Sequence, residues 1–403
     1  MGAVGHARAG PRAHVRVARN RDELTTLIAV GRPATVEDGG SARLAAIADA
    51  VEAAGGTVLD LVAVAPGRPL AIKAATALYV LLRELVLGRN GTVHIEYPGF
   101  PSIGVYYRSP SPSPAERLPR AVAYHLATLA VALIGAACRA RRRRFVVGIG
   151  DLPSMELDLP DRGRMASRRL TERYERRLLA TADAVWVVTP EERDVLVRAY
   201  GADPSLFVIV PNGNPRVPLP VRASHDGPVQ VVYAGSLYRD RDNLVEAIQA
   251  ALDQARRPLT VTLAGPGGEW VEPTFADHRV RWLGTISQRE CFDLVSASDV
   301  GILVYFDDEP YYAIAHPTKL SLYLAATIPI ASGNARYIER FVREHGVGVA
   351  VPRSAFPAAL VRLIDDAGRR REMSERAAAI RDDFFWDAIL QKAFADTRAI
   401  TRR

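Results

Sequence analysis

Residues 316–330 read H-P-T-K-L-S-L-Y-L-A-A-T-I-P-I. A proline opens an apolar helical run, a lysine follows within the first turn, and Ile328-Pro329-Ile330 begins a buried strand. Pro317 suits the start of a helix, where its missing N–H would have no partner in any case. A helix that begins Pro317-Thr318-Lys319 presents unpaired N–H groups, the positive end of the helix dipole and an ammonium group. These are the parts that hold a phosphate. The same pattern also fits a plain strand–helix junction with a solvated lysine, so the rest of the chain has to decide.

Working outward, strand and helix patterns alternate in both directions. After a first strand at 25–30 come a Gly-rich loop with Asp38-Gly39-Gly40, a helix at 42–54, a strand at 57–64, a helix at 70–87 and a strand at 92–97. Such a βαβ opening predicts a parallel sheet covered by helices. Further strands are expected at 145–149, 184–189 and 206–210. Residues 214–228, rich in proline and polar residues, read as an interdomain linker. The alternation then restarts with strands at 229–234, 259–264, 280–283, 300–304, 328–331 and 348–351. The expected architecture is α/β: two doubly wound, Rossmann-like domains facing each other across a cleft at the carboxyl ends of their strands. The expected boundaries are a basic tail at 1–22, an N-terminal domain at 23–214, the linker at 215–228 and a C-terminal domain at 229–380. Residues 381–403 should form a helix crossing back to the N-terminal domain.

The gross composition agrees with this organisation. The chain has 403 residues, 48% hydrophobic and 24% charged, enough apolar material for two cores. The net charge of +7 suits phosphates or an anionic membrane face. No array of basic and stacking aromatic residues marks a nucleic-acid domain. Cys138 and Cys291 stand in apolar contexts and read as buried free thiols of a cytoplasmic protein. No Cys/His spacing points to a metal. Residues 121–138 contain no Asp, Glu, Lys or Arg and are followed by the arginine-rich run 139–144. The stretch is borderline in length for a membrane span, but its polar residues and the strand directly after it favour a buried helix. The arginine run reads as a solvated helix end, with contact to anionic lipid as the alternative.

Three constellations bear on chemistry. The strand at 229–234 runs into Gly235-Ser236-Leu237-Tyr238-Arg239. A Gly-Ser turn exposes backbone N–H groups, and an arginine just beyond can hold a phosphate with its planar fork. Arg239 and Lys319 are therefore expected to converge on one diphosphate. In the N-terminal domain, Glu96 (followed by Tyr97) and Asp151 lie at strand ends facing the expected cleft. Either can bind sugar hydroxyls or cap a turn. Gly39 and Gly40 allow either close ligand approach or a turn. The spacings of a dinucleotide-binding loop, a P-loop and a nucleophile elbow are all missing.

Four stretches in the C-terminal half, V-V-Y-A-G-S-L-Y-R (231–239), V-R-W-L-G-T-I (280–286), S-D-V-G-I-L-V (298–304) and residues 316–330, resemble the nucleotide-binding half of GT-B glycosyltransferases. The N-terminal half matches more loosely, through residues 180–192 and 208–214. The run P-x-K-L-S-L-Y-L-A-A is most similar to the bacterial galactofuranosyltransferase and glucosyltransferase group, allied to retaining family-4 enzymes. The resemblance implies a nucleotide-sugar donor, commonly UDP-linked, and a hydroxyl acceptor, with no cofactor and no metal. It implies a diphosphate near Gly235, Ser236, Arg239, Thr318 and Lys319, and a base near Gly284, Thr285 and Ile286. It places the acceptor against the N-terminal domain, where Gly39, Gly40, Glu96 and Tyr97 are the candidate contacts, and Asp151, Arg239 and Lys319 are the candidate catalytic residues. Three positions depart from the pattern. Leu322 replaces a ribose-binding glutamate, leaving Ser321 or Tyr323 as substitutes. Gly150 replaces a histidine before Asp151, and Thr327 replaces a helix-ending glycine. An epimerase or phosphorylase on the same fold, or an inactive sugar-nucleotide-binding subunit, are the alternative readings.

Overall fold

The computed structural model describes residues 24–29, 39–61, 63, 70–97, 114–156, 168–218, 227–237 and 243–401. The N-terminal domain contains strands β1 (Thr25–Ala29), β2 (Thr57–Asp60), β3 (Thr92–Tyr97), β4 (Arg144–Ile149), β5 (Ala184–Val187) and β6 (Phe207–Ile209). Its helices are α1 (Gly39–Ala53), α2 (Leu70–Leu87), α3 (Pro114–Ala140), α4 (Pro153–Glu156), α5 (Arg168–Thr181) and α6 (Pro190–Tyr200). The C-terminal domain has strands β7 (Val229–Ala234), β8 (Leu259–Ala264), β9 (Val280–Trp282), β10 (Val300–Leu303), β11 (Ile330–Gly333) and β12 (Gly348–Val351). Helices α7 (Leu244–Gln254), α8 (Val271–Thr274), α9 (Gln288–Ser296), α10 (Thr318–Ala325), α11 (Arg336–His345), α12 (Phe356–Asp365), α13 (Ala367–Ile380) and α14 (Trp386–Ala399) complete it.

Each domain is one parallel sheet, ordered β2-β1-β3-β4-β5-β6 and β12-β11-β10-β7-β8-β9. Both orders reverse direction beside the first strand of the domain, and ligand crevices of doubly wound sheets open at that point. Burial on both faces explains the apolar runs: β1 and β4 are buried at every position. In the N-terminal domain, α2, α3 and α5 contribute to the core on one face of the sheet. On the other face, α1 packs with α14, which returns from the far end of the chain. Trp186 of β5 donates its indole N–H to Thr397 of α14 at 2.7 Å, so the last helix is bonded to the first domain.

Thr327, between α10 and β11, has φ +57°. That is the left-handed conformation glycine adopts without strain, so the threonine is tolerated at a conformational cost. Cys138 is buried, and burial pushes its thiol up to about 12. Cys291 is only half-buried. Two of the arginines in the run 139–144 are not solvated. Arg143 is buried and paired with Glu84 at 2.8 Å, and Arg144 donates to the carbonyl of Ile400 at 2.8 Å.

Candidate functional site

The C-terminal wall of the cleft is built from glycines at strand ends. Gly235 follows β7 with φ +143°, and its N–H donates to the Ala264 carbonyl at 2.7 Å. Gly265 follows β8 with φ +134°, and its N–H donates to the Gly284 carbonyl at 2.8 Å. A Cβ at Gly265 would lie 2.2 Å from the Gly235 carbonyl oxygen, so only glycine lets these loops approach. Lys319 lies in the first turn of α10, whose N-cap is Pro317. Its Nζ sits 5.1 Å from the Tyr233 ring centroid and 5.6 Å from that of Tyr305. The two aromatic faces attract the ammonium and fix its direction. That direction is toward Gly235: a Cβ there would fall 2.6 Å from Lys319 Nζ. The fold thus places a cation directly over backbone at the carboxyl end of β7.

Around this pair, Ser236 is exposed and Thr318 is half-buried. Gly284 has φ +69° with nothing within 4 Å of where a Cβ would be, and exposed Thr285 and half-buried Ile286 follow it. Ser287 then caps α9, reciprocally with Glu290. Arg239 lies outside the described residues.

Ser321 and Tyr323 have other partners than a ribose. Ser321 is fully buried, and its hydroxyl donates to the Asn212 carbonyl of the N-terminal domain. Tyr323 is also fully buried; it donates to the Ile302 carbonyl at 3.0 Å and accepts the Ala234 N–H at 3.3 Å. Both residues point inward on α10, because their spacing from Leu320 and Leu324 puts them on the core face.

The N-terminal wall is closed chemistry. Glu96 is buried and takes Arg43 Nε at 2.9 Å and His94 Nε2 at 2.6 Å. Burial alone would raise this carboxyl, but the Arg43 charge and the His94 contacts outweigh it and hold it below the usual range. Tyr97 is buried and donates to Glu175 at 3.2 Å. Glu96 and Tyr97, expected to meet an acceptor, are buried and bonded to Arg43, His94 and Glu175 on a strand covered on both sides. Gly39 and Gly40 form the first residues of α1. Asp151, just beyond β4, is half-buried and accepts the hydroxyl of Tyr311 from the opposite domain.

Several site-shaping residues had no local signal. Arg43 of α1 is 3% exposed; besides Glu96 it bonds the Val210 carbonyl at 2.8 Å, and its Nη2 has no partner among the described residues. Thr189 caps α6 and donates to the Ile314 carbonyl across the domains at 2.6 Å. Asn212 donates to the His316 carbonyl at 2.8 Å. His316 meets Tyr337 at 2.8 Å and Ser321 at 2.9 Å. Because Ser321 spends its proton on Asn212, a neutral imidazole protonated at Nε2 satisfies all these bonds. Burial, reinforced by the Arg43 charge, brings His316 down to about 3. Buried Glu192 accepts the Val188 N–H at 2.7 Å, and burial pushes its carboxyl up to about 8.

Residues 38–214 match the family model described as Glycosyltransferase Family 4, and residues 231–390 match Glucosyltransferase 3-like, C-terminal domain. A curated relative, the D-inositol 3-phosphate glycosyltransferase of Kineococcus radiotolerans, is 27% identical over 252 residues. That match takes in 53% of this chain and 56% of the relative, so the chain spans only about half of the relative's length. The fold is similar to sucrose-phosphate synthase from Thermosynechococcus elongatus, with a TM-score of 0.64 at 16% identity over 94% of this chain and 99% of that one. It is also similar to Anabaena HepE crystallised with UDP-glucose, with a TM-score of 0.58 at 15% identity over 93% and 99%. The architecture is the GT-B fold, and the two family matches together support a glycosyltransferase of that type.

Proposed function

We propose that this GT-B glycosyltransferase moves a hexose from a nucleotide diphosphate, in the first instance UDP, to a hydroxyl of a glycan or glycoconjugate acceptor, with retention at the anomeric carbon and without a metal ion. The observation that carries the reading is the Lys319 ammonium held over the Gly235 backbone by two aromatic rings. A diphosphate leaving group demands positive charge and N–H donors where its own charge develops. Lys319, the N-terminal N–H groups of α10, Ser236 and Arg239 supply them, and Gly284, Thr285 and Ile286 offer the open edge for the base. A nucleotide crystallised with the HepE neighbour is consistent with this chemistry. Ser321 and Tyr323 are bonded elsewhere, so the ribose contact must come from another residue. The acceptor would enter against the N-terminal wall near Gly39, Gly40 and Asp151. Closure of the cleft, on the cytoplasmic side of a membrane, would orient it and exclude water.

A thermal-shift screen of UDP-, GDP- and dTDP-sugars tests the donor assignment. A donor at a hundred times its Kd adds about 2.7 kcal/mol of apparent stability. The expected result is a UDP-selective shift, followed by a transfer product whose anomeric configuration matches the donor by NMR. No shift with any nucleotide sugar would overturn the proposal, and an inverted product would overturn its stereochemistry.

A further inference from the structure

The uncharged stretch of α3 is neither a membrane span nor a helix buried all round. Its inward side chains Tyr124, Ala127, Val131, Ile134 and Cys138 follow the three-four spacing of a core stripe. Its outward side chains repeat that rhythm in leucine: Leu126, Leu129 and Leu133 are 61%, 54% and 56% exposed. Neighbouring α2 does the same with Leu78, Leu82 and Val86. Of the ten large hydrophobic residues exposed among those described, nine lie on these two helices and only Leu283 lies elsewhere. Scattered exposed leucines need no explanation, but a patch confined to two adjacent helices marks a surface that something covers. The outward positions 122–133 of α3 alone run for about 16 Å. Among the described residues no helix is long and apolar enough to cross a membrane, so the patch lies along a surface.

The charges beside the patch say what covers it. Helix α5 runs parallel to α3, with Tyr124 bonded to Thr171 at 2.7 Å and Gly135 pressed against Thr181. Its outer side carries exposed Arg169, Arg173 and Arg177. Exposed Arg139 and Arg141 close the end of α3, and exposed Arg83 sits within the α2 stripe. The acidic residues described on these helices do not offset them: Glu84 is paired with Arg143, Glu172 is half-buried and Glu175 is buried. An apolar centre with an arginine border complements an anionic bilayer, with leucines entering the acyl boundary and guanidinium groups meeting headgroup phosphates. We infer that the α2–α3–α5 face of the N-terminal domain docks on the surface of an anionic phospholipid membrane.

The purified full chain is mixed with vesicles of phosphatidylcholine alone or with added phosphatidylglycerol, and sedimented. It should pellet with the mixed vesicles, release with rising salt, and stay in solution with phosphatidylcholine alone. Leu126→Glu with Leu129→Glu should cut the pelleted fraction roughly tenfold at an unchanged thermal midpoint. Arg173→Gln with Arg177→Gln, which leaves the leucines intact, should weaken anionic binding by a similar roughly tenfold factor. Equal pelleting with both lipids, or with neither, overturns the inference. So does a dimer in analytical ultracentrifugation that the leucine variant dissociates while vesicle binding is lacking, since a second copy would then cover the face.

Discussion

The two walls of the cleft end in the same way, at the carboxyl edges of parallel strands, yet they differ in what they leave available. On the C-terminal side the strand ends are glycines with positive φ, and the Lys319 ammonium lies over the Gly235 backbone between the Tyr233 and Tyr305 rings. On the N-terminal side the strand ends carry carboxylates and phenols already engaged: Glu96 with Arg43 and His94, Tyr97 with Glu175, Asp151 with Tyr311. A charged residue at a strand end is thus no guide to ligand binding by itself. Where an ion-pair partner is built in, as Arg43 is for Glu96, the group supports the fold.

Arg43→Ala attacks the engaged wall most directly. It leaves the Glu96 carboxylate buried without its main counter-charge, which should cost about 3–5 kcal/mol of stability in denaturant unfolding. A loss near zero would break the comparison, because the N-terminal wall would then not depend on its ion pair. Lys319→Ala attacks the open wall. Nucleotide-diphosphate affinity should drop by roughly 1.5–3 kcal/mol in calorimetry, the worth of a charge-assisted contact, with little change in unfolding midpoint. If stability falls and affinity does not, the lysine is structural and the contrast between the walls disappears.

Asp151→Asn probes the residue that belongs to both descriptions. The amide oxygen can still accept the Tyr311 hydroxyl, so the fold should hold. Turnover should decline roughly tenfold at constant UDP affinity, since a neutral acceptor makes a weaker hydrogen bond than a charged one. Full activity in steady-state assays would place Asp151 wholly with the structural carboxylates. Glu192 tests the engaged wall through pH. Its native value of about 8 lies above the ordinary 4.5, so between those pH values the folded protein holds a proton that the unfolded chain has released. Stability therefore falls as pH rises through that window. Glu192→Gln should match the parent below about pH 4.5 and gain on it progressively up to about pH 8 in thermal melts. A pH-independent gap would mean that the carboxyl ionises normally.

The sequence by itself determined the alternation of strands and helices, the division into two doubly wound units and the position of Lys319 in the first turn of a helix after a strand. These are local properties: periodicity, proline and glycine placement, and caps act over a few residues. It also showed that residues 121–138 lack charge, though not that half of that helix would face outward with its leucines exposed. Only the tertiary structure decided which polar groups remain open. Glu96 is closed by a residue 53 positions away, Ser321 by one 109 away and Asp151 by one 160 away. No local pattern encodes such pairs, because packing within and between the domains chooses the partners, and the cost of burying a polar group depends on whether that partner arrives.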